Sequence, residues 1–202
     1  KGKSVRGGIP ILFPICGNLP GNCLPLANKN FILKQHGFAR DSDWQIKFID
    51  GQNGFLLSLF DSELTRSVYP YFFNIAIKVT LEKNALDFKI NIENRSQEKM
   101  PFSFGLHPYF NVMDLGKTEI LALPSTCINH LNSMESDTDN QLADLMKGVD
   151  FICGPSKVVT LQDLLNGRRI SLQHQEPMDL TVVWTDPPRK MVCLEAWTSP
   201  RE

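Results

Sequence analysis

No apolar run in this sequence approaches the ~20 residues needed to cross a bilayer as a helix, so no membrane partner is expected. Charge of one sign is equally scarce. The 21 Lys and Arg against 22 Asp and Glu leave a net charge of −1, without the basic excess of a nucleic-acid module. Cys16, Cys23, Cys127, Cys153 and Cys193 are an odd, scattered set with no CxxC and no ligand-like spacing to histidine. That argues against a disulfide scaffold and against a zinc site, and it suits reduced thiols in a cytoplasmic protein. There is also no GxSxG elbow, no P-loop and no GxGxxG, which leaves serine hydrolysis and nucleotide binding without support.

What is present reads as β structure. Hydrophobic residues make up 42% and charged residues 21%, ordinary for a soluble globular chain. Phe73, Ile75, Ile77, Val79 and Leu81 alternate with polar or small residues. After a Lys83-Asn84 turn, Leu86, Phe88, Ile90 and Ile92 alternate again. This predicts a hairpin with one face on a core. Shorter strands are expected at Trp44–Asp50, Phe55–Phe60, Thr118–Leu123, Lys157–Leu161, Arg169–His174, Leu180–Trp184 and Met191–Ala196. Many short strands punctuated by Gly, Pro and Asn indicate an all-β antiparallel sandwich or barrel. The acidic stretch 133–147 reads as a loop with one helical turn near Gln141–Met146. No linker or repeat is visible, so one domain over 1–202 is expected. The chain opens on Lys-Gly-Lys close to a motif, which reads as a fragment.

Two stretches are not ordinary strand or loop. Arg6-Gly7-Gly8-Ile9-Pro10-Ile11-Leu12-Phe13-Pro14-Ile15-Cys16-Gly17 is apolar but broken by glycine and by proline, which cannot donate in a central ladder. Its Gly-Gly pair predicts a close backbone approach to a strand or a ligand. Thr185-Asp186-Pro187-Pro188-Arg189 predicts a stiff turn into the strand that carries Glu195.

The chemistry-bearing candidates stand beside these stretches. His36 in QHGFAR and His107 in GLHPYF each neighbour a glycine or proline, and an imidazole on a rigid turn suits a positioned acid or base. Glu195 lies inside the apolar run Lys190–Trp197, where an unpaired carboxylate costs several kcal/mol. It could equally point to solvent from an alternating strand. Arg6 and Arg40 flank glycine-containing turns, and a guanidinium there suits anion or hydroxyl recognition or a surface ion pair. His130 and His174 receive no role. Cys16 or Cys193 beside a histidine could form a nucleophilic pair, without a recognisable signature. Glu195 with Asp150 or Asp186 could serve glycoside hydrolysis, but that leaves both histidines unexplained.

RGGIPILFPICGNLP, HGFARDSDWQ, GLHPYF and LEAWTSPRE, in this order and spacing, resemble the aldose epimerase (mutarotase) family, most closely its glucose-6-phosphate 1-epimerase branch. The likeness runs from Arg6 to Arg201. It implies a galactose mutarotase-like β-supersandwich, truncated here at both ends because family members are longer. It also implies His107 as general acid, Glu195 as general base and His36 as a ligand of a sugar hydroxyl or ring oxygen. Arg6 and Arg40 match arginines associated in that branch with sugar phosphate. An aspartate that in the family precedes an Arg-Val-Tyr-like segment maps onto Asp150, here followed by Phe-Ile. The implied reaction interconverts the α and β anomers of an aldohexose, with no metal or other cofactor. A free-aldose 1-epimerase and a non-catalytic carbohydrate-binding module are the alternatives. The expected partner is a small-molecule sugar or sugar phosphate, and the expected assembly is a monomer or weak dimer.

Overall fold

Strict alternation makes Phe73–Leu81 and Leu86–Asn94 an antiparallel hairpin in register from Phe73↔Asn94 to Leu81↔Leu86. A computed structural model describes residues 7–26, 29–51 and 53–201. Arg6 lies outside them, and so does its expected place beside a sugar phosphate. Gln45–Phe48 and Gly54–Phe60 extend the hairpin to a four-stranded sheet. Phe73, Ile75, Ile77 and Val79 are buried on its inner face against Phe13, Tyr69 and Phe104, whereas Leu81 at the hairpin end is exposed. Each such side chain contributes roughly 1.5–3 kcal/mol before ordering costs.

A larger antiparallel sheet runs in the order Ile11–Leu12, Gly105–Leu106, Met191–Trp197, Leu180–Thr185, Asp150–Cys153, Thr126–Asn129, Met134–Asp137. Tyr109–Asn111 also pairs with Met191–Trp197. The proline-broken stretch forms the edge strand Ile11–Leu12, as its missing donors require. The stiff turn at 186–190 joins two neighbours paired from Leu180↔Trp197 to Thr185↔Val192. A three-stranded sheet, Thr118–Leu121, Val158–Asp163 and Arg168–Gln173, completes the sandwich. Ile120, Val159 and Leu161 from it meet Phe151, Val183, Val192 and Leu194 from the large sheet in one core.

The other face of the large sheet decides the rest. Period-two geometry turns Ile152, Val182 and Trp197 away from that core and into a smaller cluster with Leu12 and Cys16. Met191–Trp197 is therefore covered on both faces, which is why its sequence is nearly all apolar. Glu195 shares the Trp197 face.

The stretch 133–147 differs from its expected loop. Met134–Asp137 is a polar edge strand paired with Thr126–Asn129, and Thr138–Leu142 is a short helix. An exposed edge carries no apolar alternation to announce it. Asp137 starts the helix by accepting the Asn140 N–H at 3.1 Å, ahead of the predicted turn. Among the described residues, no helix is long and apolar enough to cross a membrane.

Candidate active site

The HGFAR turn is stitched onto the edge stretch by backbone. Phe38 and Ala39 both donate to the Phe13 carbonyl, at 3.0 and 3.2 Å. Gly37 sits at φ +68°, and a Cβ there would lie 2.2 Å from the Phe13 oxygen, so only glycine permits this approach. The close backbone approach predicted for Gly7-Gly8 is made by Gly8, whose carbonyl accepts the Tyr109 N–H at 3.0 Å from a φ of +72°.

His36 holds a left-handed φ of +63°, uncommon outside glycine. Gly17 clamps it from both sides. The His36 N–H donates to the Gly17 carbonyl at 2.8 Å, and Nδ1 accepts the Gly17 N–H at 3.0 Å. Because Nδ1 is an acceptor, the proton of the neutral ring is on Nε2. Burial first, then His107, Arg40 and Arg201, lower the His36 pKa from 6.5 to about 3. His36 is therefore a neutral hydrogen-bond donor.

His107 is fixed by its own backbone, whose N–H donates to the Pro10 carbonyl at 3.0 Å. Its ring stacks on Tyr109 at 4.9 Å between centroids and meets His36 edge-on at 5.5 Å. Nε2 lies 3.2 Å from Glu195 Oε1. Glu195, only 2% exposed, accepts the Trp197 indole N–H on Oε2 at 2.8 Å. Burial pushes its carboxyl well above the usual range. The Trp197 bond and Arg201 oppose that rise, and the charge of Asp150 adds to it. The solvent-facing option for Glu195 is thus overturned.

These groups line one cavity of about 660 Å³ with Arg40, Asp150, Tyr109, Trp184 and Arg201. Arg40 is exposed and donates to the Gln35 carbonyl at 3.0 Å. Asp150 accepts from His130 Nδ1 at 2.7 Å and from Arg201 Nη2 at 2.8 Å. Burial would raise its pKa, but those two partners together bring it below the usual value. Arg201, missed as a ligand in the sequence, lies across Gly17, where a Cβ would stand 2.2 Å from its Cγ. His130, given no role, is the second missed residue. Neither carries a local signal, because both act through a partner remote in sequence.

Other chemistries fit poorly. Burial pushes the Cys16 and Cys193 thiols up, against a nucleophilic thiolate. His107, Cys193 and Glu195 place donor atoms within 4.8 Å of one another among the described residues. Glu195 is already engaged on both oxygens, Oε2 by the Trp197 indole and Oε1 by His107. Asp186 pairs with Arg189. Glu195 held protonated beside an ionised Asp150 is a split that glycoside hydrolysis could use, but that chemistry leaves His36 and His107, which line the same cavity, without a role.

Fold and cavity together define an antiparallel sandwich with a buried acid/base pocket on one sheet face. The aldose 1-epimerase family model matches residues 3–200, and the chain belongs to that family. Among curated relatives, a Salmonella typhimurium protein named "Putative glucose-6-phosphate 1-epimerase" is 26% identical over 198 residues, covering 96% of this chain and 62% of that protein. A Cenchrus ciliaris protein of the same name is 27% identical, covering 90% of this chain and 56% of its own length. The chain thus spans about three fifths of the curated relatives it matches. Among solved structures, a Synechocystis protein superposes with a TM-score of 0.93 at 32% identity over 98% of this chain and 70% of that one. A galactose mutarotase related enzyme from Lactobacillus acidophilus gives 0.80 at 26% identity over 94% and 70%.

Proposed function

We propose that residues 1–202 are a fragment of a single catalytic domain of an isomerase that exchanges the anomers of an aldohexose, with hexose 6-phosphate as the preferred substrate. The observation that carries this reading is the 3.2 Å pairing of a buried, high-pKa Glu195 with His107 in a cavity that also holds the neutral donor His36. Glu195 takes the proton of the anomeric hydroxyl while His107 gives one to the ring oxygen. The C1–ring-oxygen bond breaks, leaving an aldehyde at C1 and a hydroxyl at the former ring oxygen. Rotation about C1–C2 presents the other carbonyl face, and reclosure returns both protons. The reaction is balanced without a cofactor. Each positioned proton transfer is worth on the order of 10²–10⁴ in rate. His36 Nε2–H and the Asp150 carboxylate bind sugar hydroxyls, and exclusion of water strengthens both contacts.

The 6-phosphate assignment rests on Arg40 at the cavity wall and on the names borne by the relatives. The five unpaired cysteines suit a cytoplasmic enzyme, a monomer or weak dimer whose partner is a small-molecule sugar or sugar phosphate. Anomer exchange by NMR on free and 6-phosphorylated hexoses tests the reading. Faster exchange on the phosphates is expected. Exchange on free sugars alone would make the protein a free-aldose epimerase, and binding without exchange would make it a carbohydrate-binding module.

A further inference from the structure

We propose that His130 is a positioning residue holding the binding carboxylate of Asp150 and the base Glu195 in one frame, a role that rests on the epimerase reading. The Thr126–Asn129 and Asp150–Cys153 strands pair through Asn129↔Phe151, and one further bond, His130 N–H to the Asp150 carbonyl at 2.8 Å, continues the ladder. This sets the two side chains next to each other. Because Asp150 is an acceptor, His130 Nδ1 donates to its Oδ1, and Arg201 secures Oδ2. The same ring lies nearly parallel to the Trp197 indole, 6.0 Å between centroids at 20°. That indole holds Glu195 Oε2. One imidazole therefore touches the residue that orients substrate and the residue that orients the base.

Packing alone does not account for a histidine here. Its side chain is 5% exposed, and Nε2 is buried without a hydrogen-bond partner. A phenylalanine would fill the same space without that desolvation cost. What histidine adds is the bond to Asp150.

Two variants separate the two contacts. His130→Phe keeps a ring on Trp197 and removes the donor. Losing a bond to a charged group should raise KM by roughly one to two decades and leave kcat within about threefold. His130→Asn keeps a donor near the Nδ1 position and removes the ring. It should keep KM within about threefold, lower kcat by about tenfold and move the Trp197 indole ¹H–¹⁵N resonance, which Trp197→Phe assigns. Both variants within twofold of the parent in kcat and KM would overturn the proposal, as would an unmoved indole resonance in His130→Asn. If His130→Phe fails to fold, His130→Asn decides alone by the same two readouts. A parent that exchanges no anomers would sink the epimerase reading instead. The indole resonance and weaker sugar binding by His130→Phe would then still decide the role of His130.

Discussion

Trp197 donates its indole N–H to Glu195 Oε2 at 2.8 Å, and the two residues stand two apart on one strand, facing the same cavity. The bond offsets part of the desolvation of a carboxylate that burial has pushed well above its usual pKa. It also leaves Oε1 aimed at His107.

Glu195→Gln keeps this shape and removes the base. Anomer exchange should fall by at least ~10²-fold while sugar binding survives. The sign for stability is opposite. A carboxyl whose folded pKa is raised above 4.5 contributes stability that is present below 4.5 and lost as pH rises through the folded pKa. The Gln variant should therefore melt higher than the parent at neutral pH. Near-normal exchange in the folded variant would remove Glu195 from the mechanism.

Activity itself should rise with pH through the elevated Glu195 pKa, since only the ionised form accepts the anomeric proton. A kcat/KM profile whose acidic limb lies above the ordinary carboxylate range is expected, and Glu195→Gln should abolish that limb.

The two histidines should separate kinetically. His107→Asn removes the proton donor and should depress kcat mainly. His36→Asn removes a neutral donor to the sugar and should worsen KM and kcat together. The reverse pattern would exchange their roles.

His36 also makes the fold acid-sensitive. Its folded pKa lies near 3 against 6.5 unfolded, so its contribution is present above 6.5 and lost as pH falls toward 3. Between pH 7 and 5 this costs at most about 2 kcal/mol, at ~1.4 kcal/mol per unit below 6.5. Urea titrations should show a shallower pH dependence for His36→Asn than for the parent.

Arg40 tests the substrate. Arg40→Ala should weaken a 6-phosphate sugar by roughly one to two decades and its free counterpart far less, because charge-assisted bonds contribute about 1.5–3 kcal/mol. The phosphate preference should shrink at high salt, since the guanidinium is exposed. Equal losses on both sugars would place the phosphate elsewhere.

Features that repeat locally are legible in the order of residues. Alternation at 73–92 specified the hairpin, proline and glycine specified the edge stretch, and a carboxylate in an apolar run marked Glu195. Period-two geometry also makes Glu195 and Trp197 neighbours wherever that strand lies. Which face is open, however, depends on what packs on each side, and alternation is silent when both sides are covered. It takes the packed sheets to show that Glu195 meets a cavity, that Gly17 fixes the tautomer of His36, and that Arg201 and His130 converge on Asp150. Those contacts join residues 19, 51 and 20 positions apart through strand pairing and chain crossing. No local pattern encodes such distances, because they are set by how whole sheets stack.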